Sequence, residues 1–83
     1  MNRVQVTIRR GLFVDWVVDV EIIRADGRRF VYTPACVVEG KFVQQYDPAA
    51  VIGEHAWAVQ AGVDLLVHFA AELPLWEAQA RRE

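Results

Sequence analysis

The hydrophobic period of this chain changes once, at Asp47-Pro48. Upstream of that dipeptide, apolar and polar residues alternate, as they do on strands with one buried face. Downstream of it, apolar residues recur every three or four positions, as they do on an amphipathic helix. The change predicts an α+β fold, in which an antiparallel sheet of three to five strands is packed by one long helix in the C-terminal half.

The first two strands are predicted over 3–9 and 13–24, because both segments alternate cleanly. If they form a hairpin, their apolar faces coincide only when the numbers of paired residues have an even sum. A sum of 22 is attractive because it places Arg3 opposite Asp19 on the solvent face. That register predicts a three-residue loop over 10–12.

A second turn is predicted at Asp26-Gly27, a dipeptide typical of tight turns between strands. It leads into a third strand over 28–33. The turn leaves two alternatives open for the aromatic residues of that strand, Phe30 and Tyr32. A two-residue loop places them on the acidic face of the sheet, and a three-residue loop places them in the core.

Pro34 is expected to end the third strand or to confine it to an edge, since proline cannot donate a hydrogen bond to a neighbouring strand. The following segment, 35–46, is interrupted by Glu39-Gly40. It is therefore predicted to form either a short hairpin or one bent strand.

The long helix is predicted from Pro48 to Leu73, with Asp47 as its N-cap and Pro74 ending it. Its apolar arc is about 200° wide, whereas roughly 100° is enough to cover one sheet. Another element must therefore cover part of the helix. A short terminal helix is predicted over 75–83.

Two residues of that terminal helix, Leu75 and Trp76, are the predicted cover for the surplus apolar surface. They could fold back onto the long helix. A second copy of the chain could cover the same surface instead, which would make the protein a homodimer.

Length and composition predict one small α+β domain spanning 1–83, with a formal net charge of −2. The lone cysteine, Cys36, excludes a disulfide within the chain and fits a reducing compartment. The N-terminus lacks the apolar run of a signal peptide, and no uninterrupted apolar stretch approaches the roughly 18 residues of a membrane span. We therefore expect a cytoplasmic protein that contacts no membrane. Eight arginines against one lysine indicate a bacterial or phage source.

The titratable residues form no recognisable catalytic or metal motif. A nucleophile pair would need Cys36 beside His55, but a buried cysteine and a histidine at a helix–sheet contact are the simpler interpretation. His55 and His68 lie on opposite faces of the predicted helix and cannot share a metal ion. Three carboxylates on the second strand could bind a cation, although such a row is usually a solvated face: Asp15, Asp19 and Glu21. The sequence thus predicts no enzyme, no cofactor and no metal site.

Trp57 is the exception to the helical pattern, since it falls at the centre of the polar arc of the predicted helix. A tryptophan surrounded by polar residues is typical of an anchor in a protein–protein contact. It is also compatible with a ring merely tolerated on the surface. The predicted protein-binding residues are Trp57, Glu54, Asp64, His68 and Trp76.

The function that these features favour is a non-enzymatic protein–protein interaction module. Its most concrete form is a small accessory or inhibitor protein that docks on a larger protein or nucleoprotein assembly, for example a phage- or plasmid-borne inhibitor such as an anti-CRISPR protein. The alternative is a nucleic-acid-binding protein that uses arginine-tipped hairpins, although the acidic net charge argues against direct nucleic-acid binding. The residues of that alternative are Arg9, Arg10, Arg24, Arg28 and Arg29.

Overall fold

A computed structural model of the protein describes residues 2–51, 53 and 55–82, with side chains through residue 75. Four strands form one antiparallel sheet in the order β1-β2-β3-β4. The elements are β1 (Arg3–Arg10), β2 (Trp16–Ile23), β3 (Arg29–Val38), β4 (Lys41–Gln44), a 3-10 turn (Pro48–Ala50) and α1 (His55–Arg82). The helix packs across one face of the sheet, which confirms the predicted α+β fold class.

β1 and β2 pair in a different register from the predicted one. Val4 lies opposite Ile22 and Val6 lies opposite Val20, so the paired numbers sum to 26 and not to 22. The sum is even, and the apolar faces coincide as predicted. The observed register pairs every residue of both strands, whereas the predicted one would leave Val20 and Ile22 without β1 partners.

Because the paired numbers have a larger sum than predicted, the connection between β1 and β2 is also longer and covers 11–15, not 10–12. β2 therefore begins at Trp16, three residues later than predicted. Within the connection, Leu12 and Phe13 project into solvent. The alternation that includes Val14 continues upstream of the strand itself, so alternation alone could not locate the beginning of β2.

The β2–β3 turn is the three-residue alternative. The Arg24 N–H donates to the Arg28 carbonyl at 2.9 Å, which closes a loop over 25–27. Gly27 has a φ of 88°, a conformation that glycine adopts without strain. In consequence, Phe30 and Tyr32 pack on the core side with Val20 and Ile22.

The prediction for Pro34 was wrong, because β3 continues through it and lies between β2 and β4. The pairing passes from Val20–Tyr32 to Val18–Ala35, so β3 contains one extra residue at this point. This is a β-bulge, one of the few places where a central strand accepts proline.

β3 and β4 form a tight hairpin, which is the first of the two alternatives for 35–46. Val38 pairs with Lys41. The two residues between them both have positive φ, 51° at Glu39 and 77° at Gly40, as a two-residue turn of the I′ type requires.

The helix boundaries differ from the predicted ones at both ends. Asp47 is an N-cap as predicted, accepting a hydrogen bond from the Ala49 N–H at 2.9 Å, but it caps the 3-10 turn. The chain then turns at Gly53, whose φ is 62°, and α1 begins at His55.

Pro74 does not end the helix, which continues to Arg82. An exposed proline this close to the end removes one backbone hydrogen bond from a 28-residue helix, and the remaining bonds hold the conformation. The predicted terminal segment is therefore helical but continuous with α1. Leu75 is 69% exposed and does not fold back onto α1, while the side chain of Trp76 lies outside the described residues.

The core lies between α1 and the two central strands. Its members are Val18, Val20, Ile22, Ala35, Val37, Ala58, Val59, Val63 and Leu66. Gly62 allows the close approach of helix and sheet, since a Cβ built there would lie 2.3 Å from Val20 Cγ2. The helix phase is the predicted one, with Val59 and Leu66 buried and Asp64 exposed.

The described chain forms a small compact globular unit around this core. Between His55 and Leu75, α1 is long and apolar enough to cross a membrane by length and composition alone. One face of that segment packs on the sheet, however, and the opposite face carries Gln60, Asp64 and His68. This is the arrangement of a core helix in a soluble protein.

Candidate protein-binding surface

Trp57 projects from the first turn of α1 and is 63% exposed. Ala61 and Leu65 follow it at intervals of four residues, so the three side chains form one ridge on the helix surface. Leu65 is also largely exposed, at 47%. An i+4 ridge drifts around the helix, and this one passes from the polar arc at Trp57 toward the sheet at Leu65. We call Trp57, Ala61 and Leu65 the Trp57 ridge.

The Trp57 ridge borders the edge strand β1. A cavity of about 200 Å³ lies between the first turn of α1 and the beginning of β1, and its lining residues are Asn2, Val4, Ile22, His55, Trp57 and Ala58. Most of these side chains are apolar. The indole of Trp57 is therefore one wall of a shallow groove between α1 and β1, which a polar surface position would not have suggested.

Val4, which lines this cavity, belongs to the apolar face of β1. Val4, Val6 and Ile8 all point toward the α1 side, and all three are only half-buried. Their β2 neighbours, such as Val18 and Val20, are completely buried. The difference arises because α1 lies over the two central strands and leaves the β1 edge partly uncovered.

His55 is the side chain that holds the first turn of α1 on the sheet. Its Nδ1 and the Tyr32 hydroxyl are 2.8 Å apart and share a hydrogen bond. Its ring also packs against Phe30, with 4.8 Å between the centroids. The predicted contact of His55 between helix and sheet is present, and the side chain is half-buried. By fixing the first turn, it also fixes the position of Trp57 two residues later.

The other predicted protein-binding residues are less concentrated. Asp64 is exposed and accepts a hydrogen bond from Gln60 Nε2 at 2.9 Å. His68 is exposed one turn further along α1. Glu54 and the side chain of Trp76 lie outside the described residues. Of the predicted set, Trp57 alone borders a described cavity, while Asp64 and His68 lie on the polar side of it.

The arginines do not form one basic patch. Arg9 and Arg10 lie at the β1–β2 end of the sheet, and the other three lie at the opposite end, as the order of an antiparallel meander requires. Several have local partners. Arg9 pairs with Asp19, and Arg10 stacks on the Trp16 ring at 4.7 Å. At the opposite end, Arg29 lies 3.1 Å from a Glu21 carboxylate oxygen and Arg28 lies 3.7 Å from one of Asp26.

The pair at Asp19 is the best-defined electrostatic contact on the open face of the sheet. Partial burial of Asp19 acts to raise its pKa, but hydrogen bonds from Arg9 and from the Thr33 hydroxyl, at 2.9 Å, outweigh it and lower the pKa. The same pair raises the pKa of Arg9. The Asp19 carboxylate thus makes its hydrogen bonds to other residues of the sheet.

The carboxylates of the predicted acidic row have separate partners. Besides Asp19, Asp15 accepts a hydrogen bond from the Gly40 N–H at 3.1 Å, and Glu21 pairs with Arg29. Among the residues that the structure describes, no three His, Cys, Asp or Glu side chains come together as a metal site.

Cys36 and His55 lie on opposite sides of the sheet and cannot form a nucleophile pair. Cys36 pairs with Val17, which points away from α1, whereas His55 belongs to α1 itself. The thiol is buried, and Gln45 Nε2 lies 3.5 Å from its sulfur atom. Cys36 is thus a structural residue on the face of the sheet that points away from α1.

A second cavity, of about 440 Å³, lies at the opposite end of α1. Its lining residues are Arg10, Asp15, Trp16, Gly40, Leu73 and Pro74. Sequence reasoning missed both cavities, because each lies between α1 and strand residues that are distant from it along the chain. The only available signal was the position of β1 as the first strand, which makes it an edge in a meander.

Comparisons with known proteins gave no match to a family model, to a curated protein or to a solved structure.

Proposed function

We propose that this protein is a non-enzymatic interaction module that docks on a larger protein through the groove between α1 and β1. The observation that carries the proposal is the exposed indole of Trp57 beside the apolar cavity lined by Val4 and Ile22. Tryptophan is enriched among the residues that dominate binding energy, particularly next to a pocket that a partner can fill. His55 supports the role, because a fixed first turn presents the indole in one position.

The partner that suits this groove presents an apolar side chain or helix and few charges. The groove itself is apolar, while Asp64 and His68 form a polar rim beside it. An apolar centre with a polar rim is the usual anatomy of a protein–protein contact. An accessory or inhibitor protein acting in the cytoplasm on a protein or nucleoprotein assembly, as an anti-CRISPR protein does, is the concrete form of this proposal.

The experiment that tests the proposal is quantitative capture with matched variants. Tagged wild-type protein and the Trp57→Ala variant are cross-linked in cells of the source organism, and the bound proteins are quantified by mass spectrometry. Because Trp57 contributes little to the core, Trp57→Ala should leave the melting temperature nearly unchanged. We expect a specific protein to bind the variant at least 30-fold more weakly, which corresponds to about 2 kcal/mol.

Val67→Ala is the matched control, since Val67 is also an exposed apolar residue of α1, at 44%, and does not line the groove. It should retain the same partner. A partner retained equally by both variants would contradict the proposed surface. Binding of short DNA or RNA at low salt, lost when Arg24 and Arg28 are replaced together, would favour the nucleic-acid alternative instead.

A further inference from the structure

The two edges of the sheet are protected to different degrees. β4 is four residues long and begins with Lys41, and short, charged edge strands resist pairing with other chains. β1 is eight residues long, pairs with β2 without a bulge, and contains neither proline nor glycine. Its inward-pointing residues Val4, Val6 and Ile8 carry no charge, and the charged residue on the same face, Arg10, lies at the end of the strand and stacks on Trp16. Between Val4 and Ile8, none of the usual devices that block an edge is present on the inner face of β1.

β1 is also self-complementary. In an antiparallel pair of identical strands centred on Val6, Val6 lies opposite its own copy and Val4 lies opposite Ile8. The even sum of these numbers, 12, keeps the apolar face of both strands on the same side. All three half-buried side chains of one chain would therefore meet apolar partners from the other.

We propose that a second copy of the chain occupies the β1 edge, with the two β1 strands paired antiparallel about a two-fold axis at Val6. The product is one continuous eight-stranded sheet with both helices on the same side. The pairing satisfies the outward backbone groups of β1 and gives its apolar side chains lateral neighbours from the second copy.

The expected area indicates a weak dimer. At 3.3 Å per residue β1 is about 26 Å long, and the shortest extent of the molecule is 21 Å. The strip facing the second copy is therefore about 550 Å² per chain, which is typical of weak and transient interfaces. We expect association in the micromolar range.

The same register juxtaposes two symmetry-related pairs of like charges. On the outer face, Arg3 lies opposite Arg9 of the second copy, and Arg9 is already paired with Asp19 of its own chain. Replacing Arg3 by glutamate should thus strengthen the dimer, since the introduced carboxylate would face an arginine.

The dimer would give the groove of the proposed function a second wall. α1 lies over β2 and β3, so the two helix axes would be about four strand spacings, or roughly 19 Å, apart. Helices in contact are about 8–10 Å apart. The two Trp57 ridges would consequently face each other across a channel about as wide as one helix of a partner.

Cysteine cross-linking tests the register directly. Residues opposite each other in an antiparallel pair have Cα atoms 4.5–5.5 Å apart, within the range of a disulfide, whereas diagonal neighbours are about 7–8 Å apart. Under mild oxidation, Val6→Cys should form a covalent dimer. Gln5→Cys alone and Thr7→Cys alone should form no covalent dimer. The two variants should cross-link to each other when they are mixed. Wild type is the control for Cys36, which is buried.

Sedimentation equilibrium tests the association itself. Wild type should dimerise between about 1 µM and 1 mM, and Arg3→Glu should lower the dissociation constant roughly two- to five-fold. Lys41→Glu, which changes the net charge equally on the opposite edge strand β4, should not lower it. A chain that stays monomeric to 1 mM, or a dimer that Val6→Cys does not cross-link, would overturn the proposal.

The test is distinguishable from that of the proposed function. Trp57→Ala should abolish capture of the larger partner while leaving the Val6→Cys cross-link intact. Loss of capture without a cross-link would retain the docking surface and refute the dimer, and the reverse result would refute only the docking surface.

Discussion

The β1 side and the β3–β4 side of the sheet bury the same kind of sequence to different extents. Val4, Val6 and Ile8 alternate with polar residues as regularly as any segment of the chain, yet each is half-buried. Ala35 and Val37, which face α1 from β3, are completely buried. Alternation decides which face a residue takes, but burial on the α1 side also requires a neighbouring strand on each side and a helix above. The apolar surface left at β1 is a consequence of position in the sheet.

The largest expected effect contrasts two adjacent leucines on α1. Leu66 is fully buried against β2 and β3, so Leu66→Ala should lower the free energy of unfolding by about 2–5 kcal/mol. Leu65 lies on the Trp57 ridge, and Leu65→Ala should lower it by less than about 1 kcal/mol. Urea unfolding of both variants measures the difference. Equal losses would show that the β1 side is as well covered as the centre.

Asp19 should have a smaller effect, which is a dependence of the protein's stability on pH in the acidic range. Because its pKa is lower in the folded than in the unfolded chain, the stability it contributes is present above the unfolded value of about 4. That contribution is lost as the pH falls through the folded pKa. Thermal melts of wild type and Asp19→Asn between pH 2 and 7 should therefore converge at the acid end. Curves that stay parallel throughout would contradict a depressed pKa.

The smallest expected effect concerns the turn that closes the protected edge. Glu39 has a positive φ, which is unfavourable for a residue with a side chain unless it is asparagine or aspartate. Glu39→Asn should raise the free energy of unfolding by a few tenths of a kcal/mol up to about 1 kcal/mol. Glu39→Val is the opposing variant and should destabilise the hairpin. If both variants melt at the same temperature as wild type, the backbone conformation at Glu39 does not affect the stability of the β3–β4 hairpin.

Local patterns predicted most of the fold. The alternation at β1, the Asp26-Gly27 turn and the phase of α1 were readable because each depends on residues that are close along the chain. The α1 phase correctly placed Trp57 outside and Leu66 inside.

Two of the errors have a different origin, since the β1–β2 register and the bulge at Pro34 depend on pairing between strands. The pairing of Arg3 with Asp19 favours the wrong β1–β2 register, because Asp19 is held by Arg9 and Thr33. Both registers give Val4, Val6 and Ile8 apolar partners, and one exposed ion pair has too small an energy to decide between them. Likewise, proline rules that ignore bulges misjudged Pro34, and rules that treat proline as a stop misjudged Pro74.

The candidate site was predictable only in part. Helical phase singled out Trp57, but the groove beside it depends on β1 being an uncovered edge and on His55 meeting Tyr32. Both depend on the tertiary structure, which the spacing of residues along the sequence does not show.

The bulge at Thr33-Pro34 divides β3 into two segments that differ in which alternate residues face the helix. Before it, even-numbered residues such as Tyr32 face the helix, and after it, odd-numbered residues such as Ala35 and Val37 do so. Deleting Pro34 would remove the extra residue and leave one regular strand, in which Tyr32, Ala35 and Val37 still face the helix. Deleting a residue elsewhere in β3 would instead move residues of the helix-facing side to the other face, so β3 should tolerate the loss of one residue at the bulge far better than at any other position.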